Sequence, residues 1–178
     1  SLSFFLSMCD WACWQLSGIP LYEHSQASET LLYDVKAGKW SEELCSLFHI
    51  SEQLLPAISQ SGLIVAAVKS DVATLWEIDR DMLVVTGGGD TQMAIKSTCP
   101  SVGDVVIVSG TTTPVVKLEA NYITDKEQRT WTSRDITKGR FVFEANAGVT
   151  GLNYQRLKEV FYPNEDYDII EKELVQNK

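Results

Sequence analysis

Val84-Val85-Thr86-Gly87-Gly88-Gly89-Asp90-Thr91-Gln92 is the stretch on which this chain's reading turns, together with its echo Val105-Val106-Ile107-Val108-Ser109-Gly110-Thr111-Thr112-Thr113. Each is an apolar, β-branched run that stops at small residues and then offers polar groups, as a buried strand does where its end opens into a site. Three consecutive glycines strip every Cβ from the first turn, so a ligand can approach the backbone closely and positive φ costs nothing. Asp90 then falls where a helix begins, beside free backbone N–H groups. The second turn, Gly110 with its threonines, carries N–H and hydroxyl donors of the kind that hold phosphate oxygens. An aspartate after glycines is, taken alone, more often a helix N-cap, and a run of threonines is ordinary strand sequence. An acid at one strand end and a phosphate cradle at the next together imply phosphoryl transfer to a hydroxyl.

Outward from these turns the chain reads as alternating helices and strands, with a change of character near residue 100. Leu2–Leu16 places apolar residues at helical spacing, and Gly18 with Pro20 ends the run. Ser41-Glu42-Glu43 is a helix start, with a hydroxyl cap and acids in the first turn. Ser51–Leu55 is a further short helix closed by Pro56. Leu63–Val68 and Met82–Thr86 read as strands flanking a helix over Ser70–Ile78. After Cys99-Pro100, the segments Val105–Ser109, Pro114–Leu118 and Phe141–Glu144 are spaced as an antiparallel meander, and a helix follows over Leu152–Phe161. The acidic tail from Pro163 to Lys178 reads as an exposed terminal helix. Leu63–Val68, Met82–Thr86 and Val105–Val108 are nearly continuous apolar runs, the pattern of strands covered on both faces.

Composition narrows the function. A net charge of −9 argues against nucleic acid as a partner, and no basic patch with interleaved aromatics appears. The cations Arg129, Arg134, Lys138 and Arg140, and Lys172 with Lys178, are interrupted by acids and read as solvated faces. Asp10 interrupts the apolar N-terminal stretch, which has no basic region before it, so neither a membrane span nor a signal peptide is expected. Cys9, Cys13, Cys45 and Cys99 show no metal-ligand spacing and no disulfide framework, which points to reduced thiols and a cytoplasmic setting. His24 and His49 have no partners at ligand spacing. Trp11, Trp14, Trp40 and Trp76 read as core anchors between helices.

The order of motifs resembles the FGGY family of carbohydrate kinases. Gly87-Gly88-Gly89-Asp90, a short helix, and an apolar strand ending Gly110-Thr111-Thr112 follow that family's sequence. Upstream, Glu23-His24-Ser25-Gln26-Ala27-Ser28-Glu29-Thr30-Leu31-Leu32-Tyr33-Asp34 with Trp40 is similar to its "D-x-S-x-A-S-x-T-x-L-x-D … W" segment. Leu55-Pro56-Ala57-Ile58-Ser59-Gln60-Ser61-Gly62 is similar to its "L-P-x-V-x-x-S-G" turn, and Phe143–Leu157 to the strand–helix segment that leads into the nucleotide site. Within the family, autoinducer-2 kinases and xylulokinases look closest. The resemblance implies an α/β chain of ribonuclease H-like (actin/hexokinase-type) ATPase domains. It divides the sequence into 1–100, the end of a first, sugar-binding domain, and 101–178, the start of a second, nucleotide-binding one.

The same resemblance implies ATP-dependent phosphorylation of a sugar or polyol hydroxyl, in the xylulose or autoinducer-2 class. It makes Asp90 the catalytic base and Thr91 and Gln92 candidates for substrate hydroxyls. Gly110, Thr111, Thr112, Gly151 and Gln155 take the nucleotide side, with ATP and Mg2+ as the cofactors and no metal ligand assigned. The family's Asp-x-Gly-Thr hairpin and its late glycine-rich adenosine loop are not found within residues 1–178. The expectation is therefore an internal piece of a longer kinase, inactive by itself, with a homodimer as one way to cover its open faces. The alternative is a catalytically incomplete remnant serving as a binding or interaction module. Gln26 and Glu29 depart from the family's commoner residues (Asn or Asp, and Arg or Gly), which bears on the identity of the sugar. Lys96 and Cys99 stand where small residues are usual.

Overall fold

Residues 4–176 are described by the computed structural model; Leu2 and Lys178, assigned above to the first helix and to the tail, lie outside them. Ser7 sets where the first helix begins. Its Oγ accepts from Asp10 N at 3.1 Å and donates to the Asp10 carboxylate at 2.8 Å, so α1 spans Met8–Ser17. Gly18, at φ 77°, ends it in the left-handed conformation that glycine adopts without strain. Strand β1 (Leu21–Glu23) runs directly into α2 (His24–Ser28), a helix too short to show a period in the sequence. The hairpin β2 (Tyr33–Asp34) and β3 (Lys39–Trp40) follows, then α3 (Glu42–Leu47), capped by Ser41 Oγ accepting from Leu44 N. The expected helix over Ser51–Leu55 is one 3-10 turn, Glu52–Leu54. It leads to β4 (Ala57–Ser59), which pairs parallel to β1. Strands β5 (Ile64–Ala67) and β6 (Leu83–Val85) pair antiparallel around α4 (Ser70–Trp76).

Helix α5 (Asp90–Ser97) leads to the second group of strands: β7 (Val105–Ile107), β8 (Pro114–Glu119), β9 (Trp131–Arg134) and β10 (Phe141–Asn146). The expected three-strand meander is instead an antiparallel sheet in the order β7-β8-β10-β9. Strand β9, unread in the sequence, takes the edge beside β10, so β8 and β9 are not neighbours. Helices α6 (Thr150–Phe161) and α7 (Tyr167–Gln176) complete the described chain. No helix among the described residues is long and apolar enough to cross a membrane.

Packing links the two groups of strands. Ile95 of α5 is fully buried against Val116, Leu118 and Val142 of the β7–β10 sheet. In the first half, Tyr22 and Tyr33 enclose Trp40 edge-on, with ring centroids 5.0 and 5.8 Å away. Trp14 meets Phe4 edge-on, but Trp11 and Trp76 are exposed and anchor no core. Within the described residues the apolar runs are open on one face, as expected of a piece whose covers lie elsewhere in a longer kinase: Ile64, Leu83 and Ile107 are 64%, 53% and 63% exposed. No described element lies over those faces. Arg134 is no solvated charge: it lies 4.5 Å from the Phe141 ring centre and donates to Val35 O at 2.7 Å and Lys36 O at 2.8 Å. Arg140 likewise donates to Pro100 O.

Candidate active site

The glycine turn after β6 is held from below by a buried carboxylate. Glu23, at the end of β1, is fully buried and caps α2, accepting from Ser25 N at 2.8 Å and Gln26 N at 3.2 Å. Its remaining acceptor sites take Ser61 Oγ at 2.7 Å and Ser25 Oγ. Ser25 Oγ in turn accepts from Gly89 N at 2.7 Å. One hydroxyl thus carries the order of a desolvated, fully hydrogen-bonded acid to the residue before Asp90. Thr86 fixes the other end of the turn, its Oγ1 donating to Gln60 O at 2.6 Å and accepting from Leu63 N at 3.0 Å.

Of the two uses expected for the glycines, positive φ is not one the structure makes. None of Gly87, Gly88 and Gly89 has positive φ; Gly89 has φ −60° and ψ 143°. Space is what they supply. A Cβ on Gly88 would lie 2.7 Å from Ile136 Cγ2 and 3.2 Å from Ser61 Oγ, and one on Gly87 would lie 3.2 Å from Cys9 Sγ. The turn is therefore closely packed on its inner side by Cys9, Ser25, Ser61 and Ile136.

Asp90 is the first residue of α5, as expected, and it is exposed. Its Oδ1 accepts from Thr91 N at 2.6 Å, while Oδ2 has no hydrogen-bond partner among the described residues. Two clefts meet at this carboxylate. The larger, about 650 Å³, is bordered by Gln26, Glu29, Asp90, Trp131, Glu144 and Asn146 among others. The smaller, about 330 Å³, is lined by Asp90, Thr91, Ala94 and Val108 and by the second turn, Gly110, Thr111, Thr112 and Pro114. Asp90 and Thr91 border both. Gln92 is buried at the edge of the larger cleft, its Nε2 donating to Ser133 Oγ at 3.3 Å, so it also ties α5 to β9.

The second turn is braced by the β10–α6 connection. Thr113 N donates to Gly148 O at 3.2 Å and Ala147 N to Thr113 O at 3.0 Å, while the hydroxyls of Thr113 and Thr150 are paired. Gly151 approaches so closely that a Cβ there would lie 2.1 Å from Gly110 O. Gly151 thus supports the turn from behind, and Thr111 and Thr112 remain exposed in the cleft. Gln155 is in neither cleft; its Nε2 donates to Glu159 Oε1 at 2.8 Å on the outer face of α6.

The larger cleft contains residues that the sequence reading left unassigned: Trp131 from β9, and Glu144 and Asn146 from β10. One signal for Glu144 was local. It shares a face of β10 with the fully buried Val142, so an acid occupies a core-facing register position. Burial is the main cause holding the carboxyls of Glu29 and Glu144 above their ordinary range. The Asp90 charge adds to this at Glu29, and Glu29 adds to it at Glu144. Asp10, buried behind the cleft, is raised by burial despite accepting from Ser7 Oγ and Glu23 N. Among the described residues, no group of three or more His, Cys, Asp or Glu is placed to hold a metal ion. The four cysteines are free, and Cys9 borders the larger cleft.

The sequence profile "FGGY family of carbohydrate kinases, N-terminal domain" matches residues 2–96. The chain is 45% identical over 170 residues to "Putative sugar kinase YoaC" of Bacillus subtilis (strain 168), covering 96% of this chain and 35% of that protein. It is 26% identical over 161 residues to the autoinducer-2 kinase of Escherichia coli (strain K12), covering 88% of this chain and 30% of that protein. The chain therefore spans about a third of the length of these relatives. Its fold is that of ligand-bound xylulose kinase from Lactobacillus acidophilus: TM-score 0.82 at 16% identity, over 92% of this chain and 34% of that one.

Proposed function

Because the chain belongs to the FGGY family of carbohydrate kinases, we propose that the complete protein carrying it transfers the γ-phosphoryl group of ATP to a hydroxyl of a sugar or polyol. One observation carries this reading: Asp90 stands on the ridge shared by two clefts, one suited to an acceptor and one lined by the Gly110–Thr112 turn. The acceptor occupies the larger cleft and directs a hydroxyl at Asp90 Oδ2. Asp90 takes the proton as the acceptor oxygen bonds to the γ-phosphorus, and the bridging bond to the β-phosphate breaks to release ADP. Such transfers depend more on positioning than on base strength. Thr91 N–H, bonded to Oδ1, fixes the carboxylate's orientation. The exposed hydroxyls of Thr111 and Thr112 and the backbone of Gly110 hold phosphate oxygens, with Gly151 packed against the turn on the same nucleotide side.

ATP is taken up as its Mg2+ complex; among the described residues no group of three or more His, Cys, Asp or Glu is placed to hold an ion. Gln92 positions α5 through Ser133 and borders the acceptor, and Gln155, exposed on α6 outside the two clefts, stays a candidate for the nucleotide side. A catalytically incomplete remnant is the weaker reading, because the acid, both turns and their supports are all in place. A cytoplasmic setting, with free thiols, belongs to the same proposal. The test is ADP release by the complete protein over a panel of neutral sugars and polyols, with and without Thr111→Val. Acceptor-dependent release is expected, with a ten- to hundredfold weaker ATP affinity in the variant, the roughly 1.5–3 kcal/mol of one charge-assisted hydrogen bond. Release that no acceptor stimulates would refute it.

A further inference from the structure

We infer that Cys9 and Cys13 form a dithiol site for trivalent arsenicals at the edge of the larger cleft, and that filling it shuts out the acceptor. The second half of this inference rests on that cleft being the acceptor site; the dithiol itself does not. The two cysteines are four residues apart on α1, hence on one face of the helix. Both are half-buried, and both meet the strand end that leads to Asp90. Cys13 Sγ donates to Val85 O at 3.8 Å and accepts from Gly87 N. Cys9 Sγ is so near the same glycine that a Cβ there would lie 3.2 Å from it. The two thiols are hydrogen-bonded to each other, and Cys9 borders the larger cleft together with Gly88, Gly89 and Asp90.

Spacing decides what the pair takes. Residues four apart on a helix hold their Cβ atoms about 5–6 Å from each other, whereas a disulfide needs about 3.5–4.5 Å. Joining the sulfurs directly would distort α1, but one atom inserted between them spans the gap with the helix intact. Soft sulfur donors select soft partners. Burial is the main cause holding both thiols above their ordinary range, so they stay protonated at neutral pH. A protonated thiol is a slow nucleophile alone, yet a neutral pair condenses with an arsenoxide. Two As–S bonds form, and the arsenoxide oxygen leaves as water with both thiol protons. Arsenic stays trivalent, so no oxidant or reductant takes part. The bridge stands against Gly87, three residues before Asp90, and through Cys9 its organic substituent occupies the larger cleft.

The experiment adds one equivalent of phenylarsine oxide to the complete protein and reads intact mass, peptide maps and ADP release. One phenylarsenic group should replace two hydrogens and bridge Cys9 to Cys13, and dithiothreitol should remove it. Acceptor binding, measured by calorimetry without nucleotide, should be lost in the adduct. ATP affinity should be unchanged, since neither cysteine borders the Gly110–Thr112 cleft. Saturating acceptor should slow the bridging. Cys13→Ser should form no bridge and should release ADP as the parent does, with Cys9→Ser as the second bridging control should that variant not fold. Cys99→Ser, at an exposed cysteine away from α1, should bridge like the parent. A parent in which Cys9 and Cys13 stay unbridged, or a Cys9–Cys13 disulfide formed readily with hydrogen peroxide, overturns the site. A bridged protein that still binds its acceptor overturns the exclusion and leaves the kinase reading intact. If no acceptor binds or releases ADP from the untreated protein, the kinase reading fails and takes the exclusion with it, and mass and mapping decide the dithiol site alone.

Discussion

Gly151→Ala should cripple the nucleotide side of the site while leaving the acceptor side intact. The added methyl would lie 2.1 Å from Gly110 O and 3.0 Å from the Gly110 carbonyl carbon, both backbone atoms that cannot swing aside. Ordinary contact begins at about 3.4 Å, so the two backbones must part by roughly 1.3 Å. Helix propensity works in the opposite direction: glycine to alanine inside a helix such as α6 is worth about 1 kcal/mol of added stability. A loss therefore reports the steric clash and nothing local. Displacing a phosphate-holding turn by about 1 Å is expected to lower kcat/KM for ATP on the order of a hundredfold. Acceptor affinity measured without nucleotide should stay within about twofold, since neither Gly110 nor Gly151 borders the larger cleft. The assay is ADP release at varied ATP with saturating acceptor, beside calorimetry of the acceptor and a melting curve. A Gly151→Ala protein with kcat/KM for ATP within about threefold of the parent and a raised Tm would refute the account of this turn.

Other consequences concern stability and association. Ser25→Ala removes the hydroxyl between Glu23 and Gly89 N, leaving polar groups short of a partner at a cost of about 1–3 kcal/mol. For a chain of 178 residues that is a Tm lowered by roughly 2–12 °C, read by scanning calorimetry. Because burial holds the Asp10 carboxyl above its ordinary range, its contribution to stability is complete below the unfolded pKa and is lost as pH rises through the folded one. Asp10→Asn should therefore gain stability relative to the parent across that window, and parallel Tm–pH curves for the two proteins would contradict this. The exposed strand residues Ile64, Leu83, Val105 and Ile107 form association sites when the 178-residue chain is isolated. Light scattering should show oligomers that Ile64→Lys with Ile107→Lys disperses, whereas a monomer of the unaltered chain would be the contrary result.

Much of the site was legible because its parts lie at local punctuation. A strand that ends in glycines before an acid places Asp90 at a helix start, and the structure puts it there. The Gly110–Thr112 turn and Gly151 were found together only through the resemblance, since their contact is between residues far apart in sequence. Glycines can be read from sequence but their purpose cannot. At Gly87–Gly89 the requirement is room for Cys9, Ile136 and Ser25 rather than positive φ. Trp131 escaped notice because β9 is a short edge strand paired with β10 rather than with β8, so nothing in its own sequence announces the cleft. Arg134 is a related case: a cation with Asp135 beside it reads as solvated until tertiary pairing brings Phe141 and the Val35 and Lys36 carbonyls around it. The apolar runs were recognised as strands, but covering both faces requires partners that periodicity within a strand cannot specify.

The most direct test of the account is the rate of ADP release by the complete protein carrying Asp90→Asn, with its best neutral acceptor at saturation. Asparagine keeps the side chain's shape and can still accept from Thr91 N, yet it cannot take the acceptor's proton. With Asp90 as the base on the ridge between the two clefts, kcat should fall by roughly 10²–10⁴-fold while calorimetric affinities for acceptor and ATP change little. A variant whose kcat stays within about threefold of the parent would contradict the assignment.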